Sequence, residues 1–138
     1  AMGDVCEVEA PEYLFEEEPN DWLNDGDYQE IGMISAGTTY AIVGDVSECD
    51  PDTGDMDFFI FQVGSAGTLD LVMDWVATGS DYDVYLWDME IDDYINPDGA
   101  TGDQPEYTSA DLVPGKSYGI LVHGYSGTAG TYLIEFGM

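Results

Sequence analysis

The chain has 138 residues, enough for one domain with its own core and too few for two ordinary ones. Apolar residues make up 44% and aromatics 13%, so burial can offset the entropy of ordering, and the chain is expected to fold despite its acidity. The 30 Asp and Glu residues face a single basic side chain, Lys116, for a formal net charge of -29. That balance excludes nucleic acid and anionic membrane surfaces as partners, because both are bound by neutralising them with Lys and Arg.

The partners left open are divalent cations, basic or neutral proteins, and neutral glycans. Like charges on a small globule repel unless salt or bound cations screen them, so stability should rise with ionic strength or calcium. A halophilic or marine origin is the alternative source of the acidity and requires no specific site.

In chain order, Ala1, Met2 and Gly3 read as a cloning remnant, and residues 1–30 read as an acidic N-terminal arm centred on Glu16, Glu17, Glu18, Pro19, Asn20 and Asp21. No helical period longer than a turn is found, apart from one candidate around Asn20 to Asp27. No apolar run approaches the roughly 20 residues that a membrane span needs, so neither a signal peptide nor direct membrane insertion is expected. Cys6 and Cys49 are the only cysteines and lie in no zinc pattern. A disulfide between them would close a loop of about 43 residues, worth roughly 4 kcal/mol, and would require an oxidising compartment. Two free thiols are the alternative.

From residue 31 to 138 the texture is that of a β-sandwich, with short β-branched and aromatic stretches separated by Gly, Asp, Pro and Ser. Residues 57–63 (DFFIFQV) are apolar on both faces, as in a central strand covered on both sides. In residues 67–77, Leu69, Leu71, Met73 and Trp75 share one face, and Trp75 is expected in the core. Residues 82–89 place Val84 and Leu86 on one face and Tyr85 and Trp87 on the other. Tyr118, Ile120 and Val122, then Tyr132, Ile134 and Phe136, read as two closing strands joined in a hairpin through HGYSGTAGT.

Six segments in this order, EEEPNDW, GDV, DMDFFIFQV, AGTLDL, SDYDVYLWD and LVPGKSYGILVHGYSGTAGTYLIEF, together span Glu16 to Phe136. Their arrangement resembles the bacterial pre-peptidase C-terminal domain family. The resemblance implies an all-β, antiparallel, jelly-roll-like sandwich appended to secreted peptidases, without catalytic activity of its own. In collagenase members the domain binds collagen, and calcium ties the leading segment to the sandwich. Carried over to this chain, that calcium site implies Glu16, Glu18, Asn20 and Asp21 from the arm, with Asp55 and Asp57 from the loop before the central strand. In an extended segment residues 16, 18 and 20 point the same way, so their hard oxygens can converge on one ion.

The run Asp50, Asp52, Asp55, Asp57 departs from an EF-hand, with Gly54 at a ligand position and Phe61 where the bidentate Glu belongs. It reads as an acidic loop or as part of the first site, and Asp81 and Asp83 read as a strand-opening turn. The only histidine, His123, and the nearby Ser126 miss the nucleophile-elbow pattern, and His123 reads as an outward-facing strand residue. Tyr82, Tyr85, Trp87, Tyr94 and Tyr125 are candidates for a recognition surface, because aromatic rings give contact area at low entropic cost. The expectation is a bacterial, secreted or cell-surface accessory module, monomeric and part of a larger protein, that binds calcium and an extracellular protein or glycan. A structural or secretion-assisting domain, or the head of a surface lipoprotein, is the alternative.

Overall fold

The computed structural model describes residues 10–16, 28–52, 54–96 and 104–138. The other half of the expected disulfide, Cys6, and the expected ligands Glu18, Asn20 and Asp21 lie outside the described residues, as does the whole of the helical candidate at Asn20 to Asp27. Among the described residues there are ten strands and no helix: β1 Tyr13–Phe15, β2 Gln29–Ile34, β3 Thr39–Val46, β4 Met56–Val63, β5 Gly67–Trp75, β6 Asp81–Asp88, β7 Asp93–Asn96, β8 Glu106–Leu112, β9 Ser117–Ser126 and β10 Gly130–Gly137.

Two five-stranded sheets face each other, one ordered β1-β3-β10-β5-β8 and the other β2-β4-β9-β6-β7. Pairing is antiparallel except at one end of each sheet, where β1 runs parallel to β3 and β2 parallel to β4. The period-2 apolar pattern accounts for the layers, since alternate side chains of a strand point to opposite faces. Leu69, Leu71, Met73 and Trp75 of β5 meet Phe59 and Phe61 of β4, Tyr82, Val84 and Leu86 of β6, and Ile120 and Val122 of β9 in one core.

The central strand β4 is covered on both sides, as its sequence predicts: Phe59 and Phe61 enter the main core, while Phe58 and Ile60 join Trp87 and Leu121 in a second apolar cluster on the outer face of the same sheet. Phe58 packs edge-on to Trp87 at 6.0 Å between ring centroids.

The expected hairpin between the last two strands does not form. β9 pairs with β4 and β6 in one sheet, and β10 pairs with β3 and β5 in the other. The connecting residues cross from layer to layer, so Tyr118, Ile120 and Val122 meet Ile134 and Phe136 through the core rather than side by side. The crossing uses Gly127, whose φ of +105° suits glycine and whose missing Cβ leaves room for Ser80. Within the segment read as the arm, Tyr13–Phe15 is a strand held by backbone pairing to Ala41, Ile42 and Val43.

Candidate functional site

Three clusters of side chains carry chemistry. The first forms where β1 ends. The Glu16 amide donates to the Val43 carbonyl at 2.8 Å, which continues the β1–β3 pairing, and Glu16 Oε1 accepts the Asp45 amide at 2.8 Å. This brings the Glu16 carboxyl against Asp57 at the start of β4, in the opposite sheet, and the two side chains are hydrogen-bonded. Asp57 is only 1% exposed and accepts the Tyr132 phenol on Oδ2 at 2.5 Å. Tyr132 reaches it by lying over Gly44, its partner in the β3–β10 register, where any Cβ would overlap the ring.

Burial first, then the Glu16 hydrogen bond, pushes the Asp57 carboxyl up to about 10, with the charges of Glu16 and Asp55 adding to the rise. Of the six residues expected to hold calcium, Glu16 and Asp57 are in contact and Asp55 lies near enough for its charge to act on Asp57; the other three lie outside the described residues. Asp55 also anchors its loop, accepting the Ser47 amide on Oδ2 at 3.0 Å. Asp50 does the same with the Asp52 amide at 2.8 Å, so the acidic loop spends carboxylates on its own turn. Cys49 in this loop is a free thiol, with Sγ 3.5 Å from the Thr128 carbonyl oxygen.

The second cluster joins Asp81 and Asp83 of β6 to Glu106 of β8, with one carboxylate oxygen from each within 4.8 Å of the others. Asp83 and Glu106 are 5% and 1% exposed. Oδ1 of Asp81, Oδ1 of Asp83 and Oγ1 of Thr108 are buried and have no hydrogen-bond partner. An unmet polar atom of this kind costs about 1–3 kcal/mol. Burial, then the charge of Asp81, then hydrogen bonding to Glu106 push the Asp83 carboxyl up to about 8. The only Lys or Arg side chain of the chain is committed elsewhere, with Lys116 Nζ 2.6 Å from Asp88 Oδ2 and 3.4 Å from Glu90 Oε1.

The third cluster is an aromatic groove of about 250 Å³ on the outer face of the β2-β4-β9-β6-β7 sheet, lined by Met56, Tyr85, Trp87, Tyr94, Leu121 and His123. Tyr94 lies 5.4 Å from Tyr85 and 6.1 Å from Trp87 between ring centroids. Tyr125, 42% exposed, sits beside His123 at 6.2 Å. Tyr82 is not on this face: it is fully buried, stacks on Trp75 at 5.2 Å, and donates its hydroxyl to the Thr128 carbonyl at 2.6 Å. It shares the inward parity of Val84 and Leu86, which removes it from the recognition surface. His123 faces outward as its alternation predicts, but it is covered, 7% exposed, with Nε2 3.1 Å from the Asp50 carbonyl oxygen.

No protein-family model and no curated protein sequence matches the chain. Among solved structures, the pre-peptidase C-terminal domain of a collagenase from Bacillus anthracis superposes with a TM-score of 0.56 at 23% identity, covering 79% of this chain and 95% of that one. The chain has the pre-peptidase C-terminal fold. PliG, a periplasmic inhibitor of g-type lysozyme, gives TM-scores of 0.44 for the Aeromonas hydrophila protein (8% identity, 79% and 96% of the two chains) and 0.45 for the Salmonella Typhimurium protein (15%, 76% and 96%).

On the pre-peptidase C-terminal fold, the partners that sequence reasoning missed are Tyr132 and Glu106. Tyr132 reads as a core residue from its alternation with Ile134 and Phe136, and its polar tip only becomes informative once β10 is known to lie next to Gly44. Glu106 follows a stretch without β pattern, and its approach to β6 is a contact between sheets that no local spacing records.

Proposed function

We propose that this chain is a non-catalytic accessory module of an exported protein, which binds an extracellular protein or glycan through the aromatic groove. The observation that carries the reading is the groove itself: exposed Tyr94 and half-buried Tyr85 line an apolar groove over the buried Trp87 and Leu121 on the outer face of the β2-β4-β9-β6-β7 sheet. Exposed aromatic clusters of this kind mark contact sites, because they bury large area at little entropic cost. The shared fold with a collagenase-appended domain supports the accessory and extracellular parts of the reading.

The same proposal includes calcium at the end of β1. Glu16, Asp55 and Asp57 would hold the ion, with Glu18, Asn20 and Asp21 of the adjoining segment completing an all-oxygen set. The donor chemistry fits a hard cation, because Asp57 and Glu16 are pressed together with no basic side chain beside them among the described residues. A bound ion would supply the positive charge that otherwise only a shared proton provides, and so fasten the leading segment to both sheets.

Calorimetric titration of the full chain against collagen, chitin and host matrix proteins tests the binding role. Binding to one of them should weaken about tenfold or more in Tyr94→Ala and Tyr85→Ala, as expected for truncated aromatic anchors. Silence across the panel, or binding indifferent to both substitutions, contradicts it and favours a purely structural module.

A further inference from the structure

We propose that Asp81, Asp83 and Glu106 form a second hard-cation site, of calcium class, which ties the β6 edge of one sheet to the β8 edge of the other. The two strands belong to different sheets, so nothing in the backbone ladder joins them here. β7 borders β6 only from Leu86 to Asp88, which leaves the Asp81–Asp83 end without a strand neighbour on that side among the described residues. Glu106, the first residue of β8, approaches that end from the opposite layer.

Three observations point to an ion. The carboxylate oxygens lie within 4.8 Å of one another, a span that an ion about 2.3–2.6 Å from each oxygen would fill. Asp83, only 5% exposed, keeps Oδ1 without any hydrogen-bond partner, although a buried oxygen in a protein is ordinarily paired. Thr108, 1% exposed, carries a hydroxyl with no partner and lies two residues along β8 from Glu106, on the same face of the strand. A carboxylate trio is a poor structural device without a counter-charge; only His123, opposite Asp83 in the β6–β9 register, acts on it, through Asp81, while the chain's one Lys or Arg side chain is spent on Asp88. Asp81 is half-buried, which leaves a side open for the ion to enter and for water to complete its shell.

This site is separate from the Glu16–Asp57 cluster, and the two can be told apart. In chelator-stripped buffer, calcium titration of the full chain followed by calorimetry should show that Asp83→Asn and Glu106→Gln each lose one equivalent of bound calcium relative to the parent chain. Asp57→Asn, in the other cluster, should keep that equivalent. Thermal unfolding provides an independent reading and reports whether each variant folds. In chelator, Asp83→Asn should melt at or above the parent, since one of three crowded carboxylates is gone; in calcium the order should reverse. Parent-like stoichiometry and affinity in both Asp83→Asn and Glu106→Gln would overturn the proposal while leaving calcium at Asp57 standing. A parent chain that takes up no calcium would overturn both.

Discussion

At the Asp57 carboxyl, two side chains from other strands decide the local chemistry. Tyr132 donates to it, and Gly44 makes room for that phenol. Tyr132→Phe keeps the ring packing and removes the donor, so it should lower the unfolding free energy by about 1–3 kcal/mol in urea titration. Gly44→Ala should cost at least as much, because its Cβ and the ring cannot both keep their places.

Asp57 and Asp83 also set a pH dependence. Their folded values, about 10 and about 8, lie above the ordinary 3.8, so the folded chain binds more protons than the unfolded chain between those limits. Their contribution to stability is therefore full below about pH 4 and is lost as pH rises toward 8 and 10. In chelator, the urea midpoint should be higher at pH 5 than at pH 8, and calcium should flatten that slope by replacing the protons. A midpoint that rises over this range would contradict it. Part of this scale was legible beforehand: strand parity puts Tyr85 and Trp87 outward, whereas the expectation of Tyr82 on the recognition surface conflicts with the same parity, which places it inward with Val84. What parity could not supply was the partner of each polar tip, which depends on how strands from two sheets meet.

Strands with strict alternation were readable one by one, and β4, β5 and β6 stand close to where their patterns place them. Their order was not readable in the same way. A glycine-rich link after β9 looks alike whether the next strand lies alongside or crosses to the other layer, and the two apolar faces are compatible with both. β1 escaped notice because three residues in an acidic stretch carry no period, and backbone pairing to β3 alone defines the strand. The resulting order gives an expectation for amide hydrogen exchange. The central strands β9 and β10 should exchange slowest, and the short edge strands β1 and β7 fastest. Calcium should slow exchange in β1 specifically, since Glu16 follows it. Exchange in β1 as slow as in β10 without calcium would contradict this ordering.

For the whole molecule, a charge of -29 on 138 residues has to be carried by a sandwich whose core is ordinary in composition. Salt relieves the general repulsion among exposed carboxylates, whereas it cannot satisfy carboxyls as buried as Asp57, Asp83 and Glu106. Two sources of stabilisation by cations therefore separate, one that depends on ionic strength alone and one that depends on the identity of the ion. Thermal unfolding of the full chain at matched ionic strength in sodium, magnesium and calcium chlorides, with a chelator control, distinguishes them directly. Calcium should raise the midpoint well beyond either of the other salts, because coordination adds binding energy to screening. Equal midpoints in all three salts would show that the buried carboxyls hold protons rather than metal, and would contradict the calcium-clamped sandwich.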